Sequence, residues 1–123
     1  MIIYDASAFF ERISRKDIDT NCFILDLTMY EVSNVILKHC SALKSISNNE
    51  AISLLKIVSN WGNVIYIQHS DLSEIFSLAS SLGLTFYDSA YVYFSKKYNA
   101  QLETCDKKIY EKANKMCNVR YLK

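Results

Sequence analysis

Short apolar runs alternate along the chain with longer stretches in which apolar residues return every three or four positions. The runs fit buried strands and the periodic stretches fit amphipathic helices. Met1–Tyr4 predicts a first strand, and Asp5-Ala-Ser-Ala opens a helix carrying Phe9, Phe10 and Ile13. Polar Ser14–Asn21 reads as a loop or short helix, and Cys22–Leu27 as a second strand. Thr28-Met-Tyr-Glu31 has the form of a capping box, with Val32, Val35, Ile36 and His39 along one side of the helix it starts. Ser47-Asn-Asn-Glu50 is a second box, opening a helix with Ile52, Leu55 and Val58 that Gly62 would end in a left-handed turn. Val64–Ile67 predicts a strand, and Asp71-Leu-Ser-Glu74 starts a helix stopped by Gly83. Thr85-Phe-Tyr-Asp88 starts the next, which runs to about Tyr98 with Asn99 as a left-handed cap. Gln101–Thr104 is a strand, Asp106 begins a last helix with Ile109, Ala113 and Met116, and Val119–Leu122 is a final strand.

Apolar strands separated by helices of roughly 10–15 residues predict an α/β fold with a mostly parallel sheet. In such sheets ligands bind beyond the carboxyl ends of the strands, where the strand order reverses. Residues just after each strand are therefore the ones to inspect for chemistry.

Composition narrows the choice. A chain of 123 residues with 50% apolar and 22% charged residues predicts one domain, 1–123, with its own core. No apolar stretch nears the ~18 residues of a membrane helix. MIIYDASAFF meets an acid at Asp5 and lacks a basic start, so it does not read as a signal peptide. Two glycines, Gly62 and Gly83, exclude the glycine-rich loops that cradle phosphates elsewhere. Cys22, Cys40, Cys105 and Cys117 show no metal-knuckle spacing and read as free, buried thiols in a reducing, cytoplasmic setting. His39 and His69 stand alone, which leaves zinc no visible ligand set. Charge is uneven: residues 1–95 hold 6 Lys/Arg and 10 Asp/Glu, whereas residues 96–123 hold 8 and 3. A basic last quarter suits an anionic partner or a solvated helix face.

Four acids fall near the predicted strand ends or in first helical turns: Asp5, Glu31, Asp88 and Asp106. Singly, each serves as an ordinary cap or complements a helix dipole. Their surroundings add a second reading. IIYDASAFF, LTMYEVSNVI and LGLTFYDSAYVYFSKKYNAQLETCDKKI, in this order and spacing, resemble the PIN-domain ribonucleases, particularly the small toxins of toxin–antitoxin pairs. The most specific part is Tyr87-Asp-Ser-Ala-Tyr91 followed by Leu102-Glu-Thr-Cys-Asp106. The resemblance implies a three-layer α/β/α sandwich with a central, mostly parallel sheet of about five strands. It also implies an acidic pocket for Mg²⁺ or Mn²⁺ and cleavage of RNA. Carried over by position, Asp5, Glu31, Asp88 and Asp106 are the catalytic and metal-binding acids, and Ser7 and Thr104 the accessory hydroxyls. Asn34 accompanies Glu31, and Cys105 takes the variable place within Thr104-Cys-Asp106.

The chemistry has a physical rationale. A phosphodiester is anionic and repels its nucleophile; a hard divalent cation neutralises that charge and prefers oxygen ligands. Asp5 and Asp106 are the expected direct ligands, with Asp88 a ligand or a water-orienting group. Glu31 is expected to position or deprotonate the attacking water, with Ser7 and Thr104 behind the carboxylates. Lys107 and Lys108, beside Asp106, are candidate RNA phosphate contacts, extended by Lys96, Lys97, Lys112 and Lys115. Tyr87, Tyr91 and Tyr98 are of a type that stacks bases, but their spacing reads as core or interface. The resemblance further implies a homodimer and an antitoxin protein partner. Three other readings stay open: a catalytically inactive PIN scaffold that only binds protein, a phospho-acceptor receiver domain, and a relative of the flap nucleases. The lone Asp5 after Tyr4 departs from the paired acids of a receiver.

Overall fold

A computed structural model describes residues 1–123. Five short strands carry the chain through the middle of the molecule: β1 (Ile2–Tyr4), β2 (Ile24–Leu25), β3 (Val64–Ile65), β4 (Gln101–Thr104) and β5 (Val119–Tyr121). Six α-helices connect them: α1 (Ala6–Arg15), α2 (Asp26–Leu37), α3 (Asn48–Ser59), α4 (Leu72–Leu82), α5 (Phe86–Lys97) and α6 (Lys107–Ala113). Every strand pairing is parallel. β1, β4 and β5 form one ladder and β2 and β3 another. Phe23 joins the two: its carbonyl accepts from Tyr4 N–H at 3.0 Å, and its N–H donates to the Ile2 carbonyl at 2.8 Å. The spatial order is thus β3-β2-β1-β4-β5. The chain builds outward from β1 on one side, then crosses back to build on the other. The order reverses between β1 and β4, where a parallel sheet opens a crevice.

Alternation along the strands sorts the core into two layers. Ile3, Leu25 and Leu102 point into a cluster with Ile75, Val92 and Phe94, on the side of α4, α5 and α6. Tyr4 and Ile24 point the other way, into a cluster with Phe9, Val32 and Val58 of α1, α2 and α3. Consecutive strand residues face opposite sides, so one short strand serves both cores. The result is the expected three-layer α/β/α arrangement. Glu103 is the exception among strand residues, a buried carboxylate paired with Arg12 at 3.3 Å and Arg120 at 3.6 Å. These pairs tie β4 to α1 and to β5.

Several local expectations are corrected. Both strands on the β2 side are shorter than predicted, two residues each. α2 starts at Asp26, so Thr28 is no N-cap and Glu31 lies in the second turn. Leu25 takes the cap position, and its N–H donates to Thr28 Oγ1 at 2.9 Å. Asp71 likewise lies at the end of a 3₁₀ turn, His69–Asp71, where its carboxylate accepts from Gln68 N–H at 2.9 Å. In both cases the side chain bonds backward to an amide before the helix rather than forward into it. Gly62 does not end α3 in a left-handed turn; Asn60 caps that helix, and only Gly83 has positive φ among the glycines. His39 leaves the α2 stripe for a π-helical turn, Lys38–Ala42, and stacks on Phe10. Met116 lies past the end of α6. Of the cysteines only Cys22 is fully buried, and all four are unpaired. Ser47, Thr85 and Asp106 cap their helices as expected, and Asn99 is left-handed at φ 51°.

Candidate active site

Asp5 is the first residue past β1 and the cap of α1. Its Oδ1 accepts from Ser7 Oγ–H at 2.6 Å and from Ala8 N–H at 2.9 Å, and its Oδ2 accepts from the Thr104 hydroxyl. Both hydroxyls are anchored by the turn after β4. Cys105 N–H donates to Ser7 Oγ at 2.9 Å, and Asp106 N–H donates to Thr104 Oγ1 at 2.9 Å. A hydroxyl that accepts an amide proton still has one proton to give. Two parallel routes therefore run from the β4 turn onto the two oxygens of Asp5. The carboxylate is buried, and burial is the main reason its pKa rises to about 6. The hydroxyl and amide donors oppose that rise by favouring the charged form, and Asp88 adds to it.

Glu31 is held from a different element. Tyr91 Oη–H, on α5, donates to Glu31 Oε1 at 2.7 Å. Tyr91 Oη also lies 2.8 Å from Thr28 Oγ1, which accepts from Leu25 N–H. Burial raises the Glu31 pKa; the Tyr91 bond works against the rise and the Asp88 charge adds to it. The helical spacing of Tyr91 predicts core or interface. Tyr91 is indeed buried, at 1% exposure, but its hydroxyl reaches the cleft. The available signal was its place one helical turn beyond Asp88, which puts both on one side of α5.

Asp88 and Asp106 sit in helix beginnings. Thr85 Oγ1 accepts from Asp88 N–H at 3.1 Å, which sets the first turn of α5. Asp106 Oδ1 accepts from Lys108 N–H at 2.8 Å and so caps α6. Burial raises the Asp88 pKa first and the charge of Asp106 second, with Lys108 acting in the opposite sense. Asp88 in turn raises both Asp5 and Glu31. It is the electrostatic centre of the group.

All four acids line one cleft of about 320 Å³, together with Ser7 and Asn34. No Lys or Arg lines it. The acids share this cleft without converging: no three His, Cys, Asp or Glu groups stand close enough to form a ready metal-ligand set. Asp5 and Glu31 are each tied to their own hydroxyl donors. The donor chemistry nevertheless fits a hard cation. It is all oxygen, negative, partly buried and uncompensated by any basic side chain in the lining. Lys107 and Lys108 stand outside the lining; Lys107 is exposed and 3.8 Å from Glu111. Tyr87 is 58% exposed beside the cleft, in a groove that Glu31 and Asn34 also line. A larger surface depression, about 870 Å³, lies between α4 and α5, with Glu74 its sole acid. Its size does not outweigh the concentration of carboxylates in the smaller cleft.

Comparison with known proteins gives a consistent picture. No family model matches the chain. It is 34% identical over 91 residues to the ribonuclease VapC3 of Pyrobaculum aerophilum, covering 72% of this chain and 68% of that protein. It is 28% identical over 99 residues to the exonuclease VapC9 of the same organism, covering 80% and 72%. Among solved structures, PAE2754 from Pyrobaculum aerophilum superposes with a TM-score of 0.79 at 28% identity, over 95% of this chain and 89% of that one. FitAB bound to the IR36 DNA fragment gives a TM-score of 0.62 at 13% identity, over 98% and 94%, a likeness of fold alone.

Proposed function

The chain belongs to the VapC-like PIN-domain nucleases, the toxins of toxin–antitoxin pairs, and from that membership we propose that it hydrolyses RNA internally at the acidic cleft, with Mg²⁺ or Mn²⁺ as its cation. The observation that carries the proposal is one cleft lined by Asp5, Glu31, Asp88 and Asp106, with no Lys or Arg in its lining. Burial and mutual repulsion make Asp5, Glu31 and Asp88 costly to ionise. A bound divalent cation relieves that cost, neutralises the scissile phosphate and lowers the pKa of an attacking water.

The side chains divide the remaining work. Asp88 and Asp106 supply ligand oxygens. Asp5 adds a carboxylate whose orientation Ser7 and Thr104 fix. Glu31 orients the attacking water and takes its proton. Asn34 offers an uncharged amide at the same wall, suited to a phosphate or sugar oxygen. Lys107 and Lys108 attract the RNA backbone from outside the cleft and confer no sequence choice. A homodimer, restrained by an antitoxin protein in the cytoplasm, completes the proposal on family grounds. No helix is long and apolar enough to cross a membrane.

The test uses a circular single-stranded RNA, its linear form and a DNA of the same sequence, each with Mn²⁺ and with a chelator. Cleavage of the circle with Mn²⁺, lost on chelation, is expected; an intact circle or chelator-resistant cleavage overturns the proposal. The alternative is an inactive scaffold that only binds protein. Mn²⁺ binding without turnover on any RNA would establish it.

A further inference from the structure

With Glu31 ionised, the hydrogen-bond chain behind it has one consistent direction. Tyr91 Oη carries a single proton and gives it to Glu31 Oε1, 2.7 Å away. The Thr28 hydroxyl, 2.8 Å from the same oxygen, must then donate to it. Thr28 Oγ1 is itself anchored by accepting from Leu25 N–H at 2.9 Å. Leu25 ends β2, Thr28 and Tyr91 are buried, and no link offers an alternative donor. The backbone at the carboxyl end of β2 thereby sets the direction of a carboxylate on α2 through a side chain on α5.

We infer that Tyr91, backed by Thr28, is a positioning residue that commits Glu31 Oε1 and leaves Oε2 as the single working oxygen of Glu31 in the cleft. This rests on the nuclease reading and sharpens the role of Glu31 within it. The hydrogen bond at Oε1 fixes the orientation of the carboxylate and leaves Oε2 without a protein donor. Oε2 is suited to one directed hydrogen bond with a water. Outer hydroxyls that aim a carboxylate act on the chemical step more than on substrate affinity. The ring of Tyr91 fills space in the core, whereas the aiming is done by one oxygen atom, so the two contributions are separable.

Tyr91→Phe keeps the ring and deletes that oxygen. With Mn²⁺ and RNA, kcat is expected to fall roughly 10–100-fold, with KM within about twofold. Glu31→Gln should lower kcat as well, and the double variant should be no worse than Glu31→Gln alone, because both changes interrupt one chain. Thr28→Ser, which keeps the hydroxyl, should retain activity where Thr28→Val loses it. In a crystal structure of Tyr91→Phe, the Glu31 carboxylate should occupy more than one orientation. Wild-type kcat in Tyr91→Phe, multiplicative losses in the double variant, or an unmoved Glu31 overturns the inference. A wild type that cleaves no RNA refutes the proposed function, and the Glu31 orientation in that crystal still decides this point.

Discussion

The acidic cleft has two kinds of wall. Asp5 and Glu31 are gripped: hydroxyls of Ser7, Thr104 and Tyr91 donate to them, and backbone amides or Thr28 stand behind those hydroxyls. Asp106 spends one oxygen on capping α6, and Asp88 sits in the first turn of α5, with no comparable chain of hydroxyls behind either. The two walls divide the labour. A gripped carboxylate keeps one direction at the cost of free lone pairs, whereas a loosely held one can turn to meet a cation. Ion affinity should therefore concentrate on Asp88 and Asp106, and geometric control on Asp5 and Glu31.

The largest expected effect breaks the loosely held wall. Asp88→Asn and Asp106→Asn should each lower RNA cleavage by about 100-fold or more, with unchanged circular dichroism. Asparagine caps a helix as well as aspartate does, so α6 should survive. Removing Asp88 also removes a like charge felt by Asp5 and Glu31, so the metal-free melting temperature should hold or rise.

The gripped wall should show itself in stability against pH. The folded-state pKa of Asp5, about 6, lies above its ordinary 3.8, so the native state holds that proton more tightly than the unfolded chain. Its stabilising contribution is complete below about pH 4 and is lost as pH rises through about 6, a change of order 3 kcal/mol at most. Denaturant unfolding of the metal-free protein across that window should show the loss, and Asp5→Asn should flatten it. Mn²⁺ should offset it at neutral pH by binding the native state.

A smaller effect is expected behind Asp5. Thr104→Val removes one donor to Asp5 and the acceptor of Asp106 N–H. It should cost roughly 10–100-fold in cleavage and about 1–3 kcal/mol in stability; Thr104→Ser should restore both. The smallest effect belongs outside the cleft. Lys108→Gln should raise KM by about two- to threefold at low salt and shallow its salt dependence, leaving kcat near wild type. An unchanged salt slope would remove Lys108 from the RNA path.

Much of this site was legible as local chemistry. Asp5 and Asp106 follow strands and cap helices, Asp88 lies in the first turn of α5, and those are positions that sequence spacing marks directly. The hydroxyls Ser7 and Thr104 could be named from the same segments. Two features were hidden for physical reasons. Thr28 resembles an N-cap because a threonine three residues before a glutamate has that form, but its hydroxyl bonds back to Leu25 and the helix begins at Asp26. Tyr91 looks like core because its ring is core, and the contact that matters is made by one atom to a residue 60 positions away. The spacing from Asp88 marks the side of α5 that Tyr91 takes, but nothing local in the sequence encodes its pairing with Glu31. The strand order is equally non-local: the two-residue strands β2 and β3 carry little pattern, and only Phe23 joins them to the main ladder.

The most direct test of the account is calorimetric titration of Mn²⁺ into wild-type protein and Asp88→Asn at neutral pH. Saturable binding to the wild type, weakened about tenfold or more in the variant, is the predicted result. Equal affinity in the two proteins, or no binding to either, would contradict the assignment of this cleft as a cation-dependent nuclease centre.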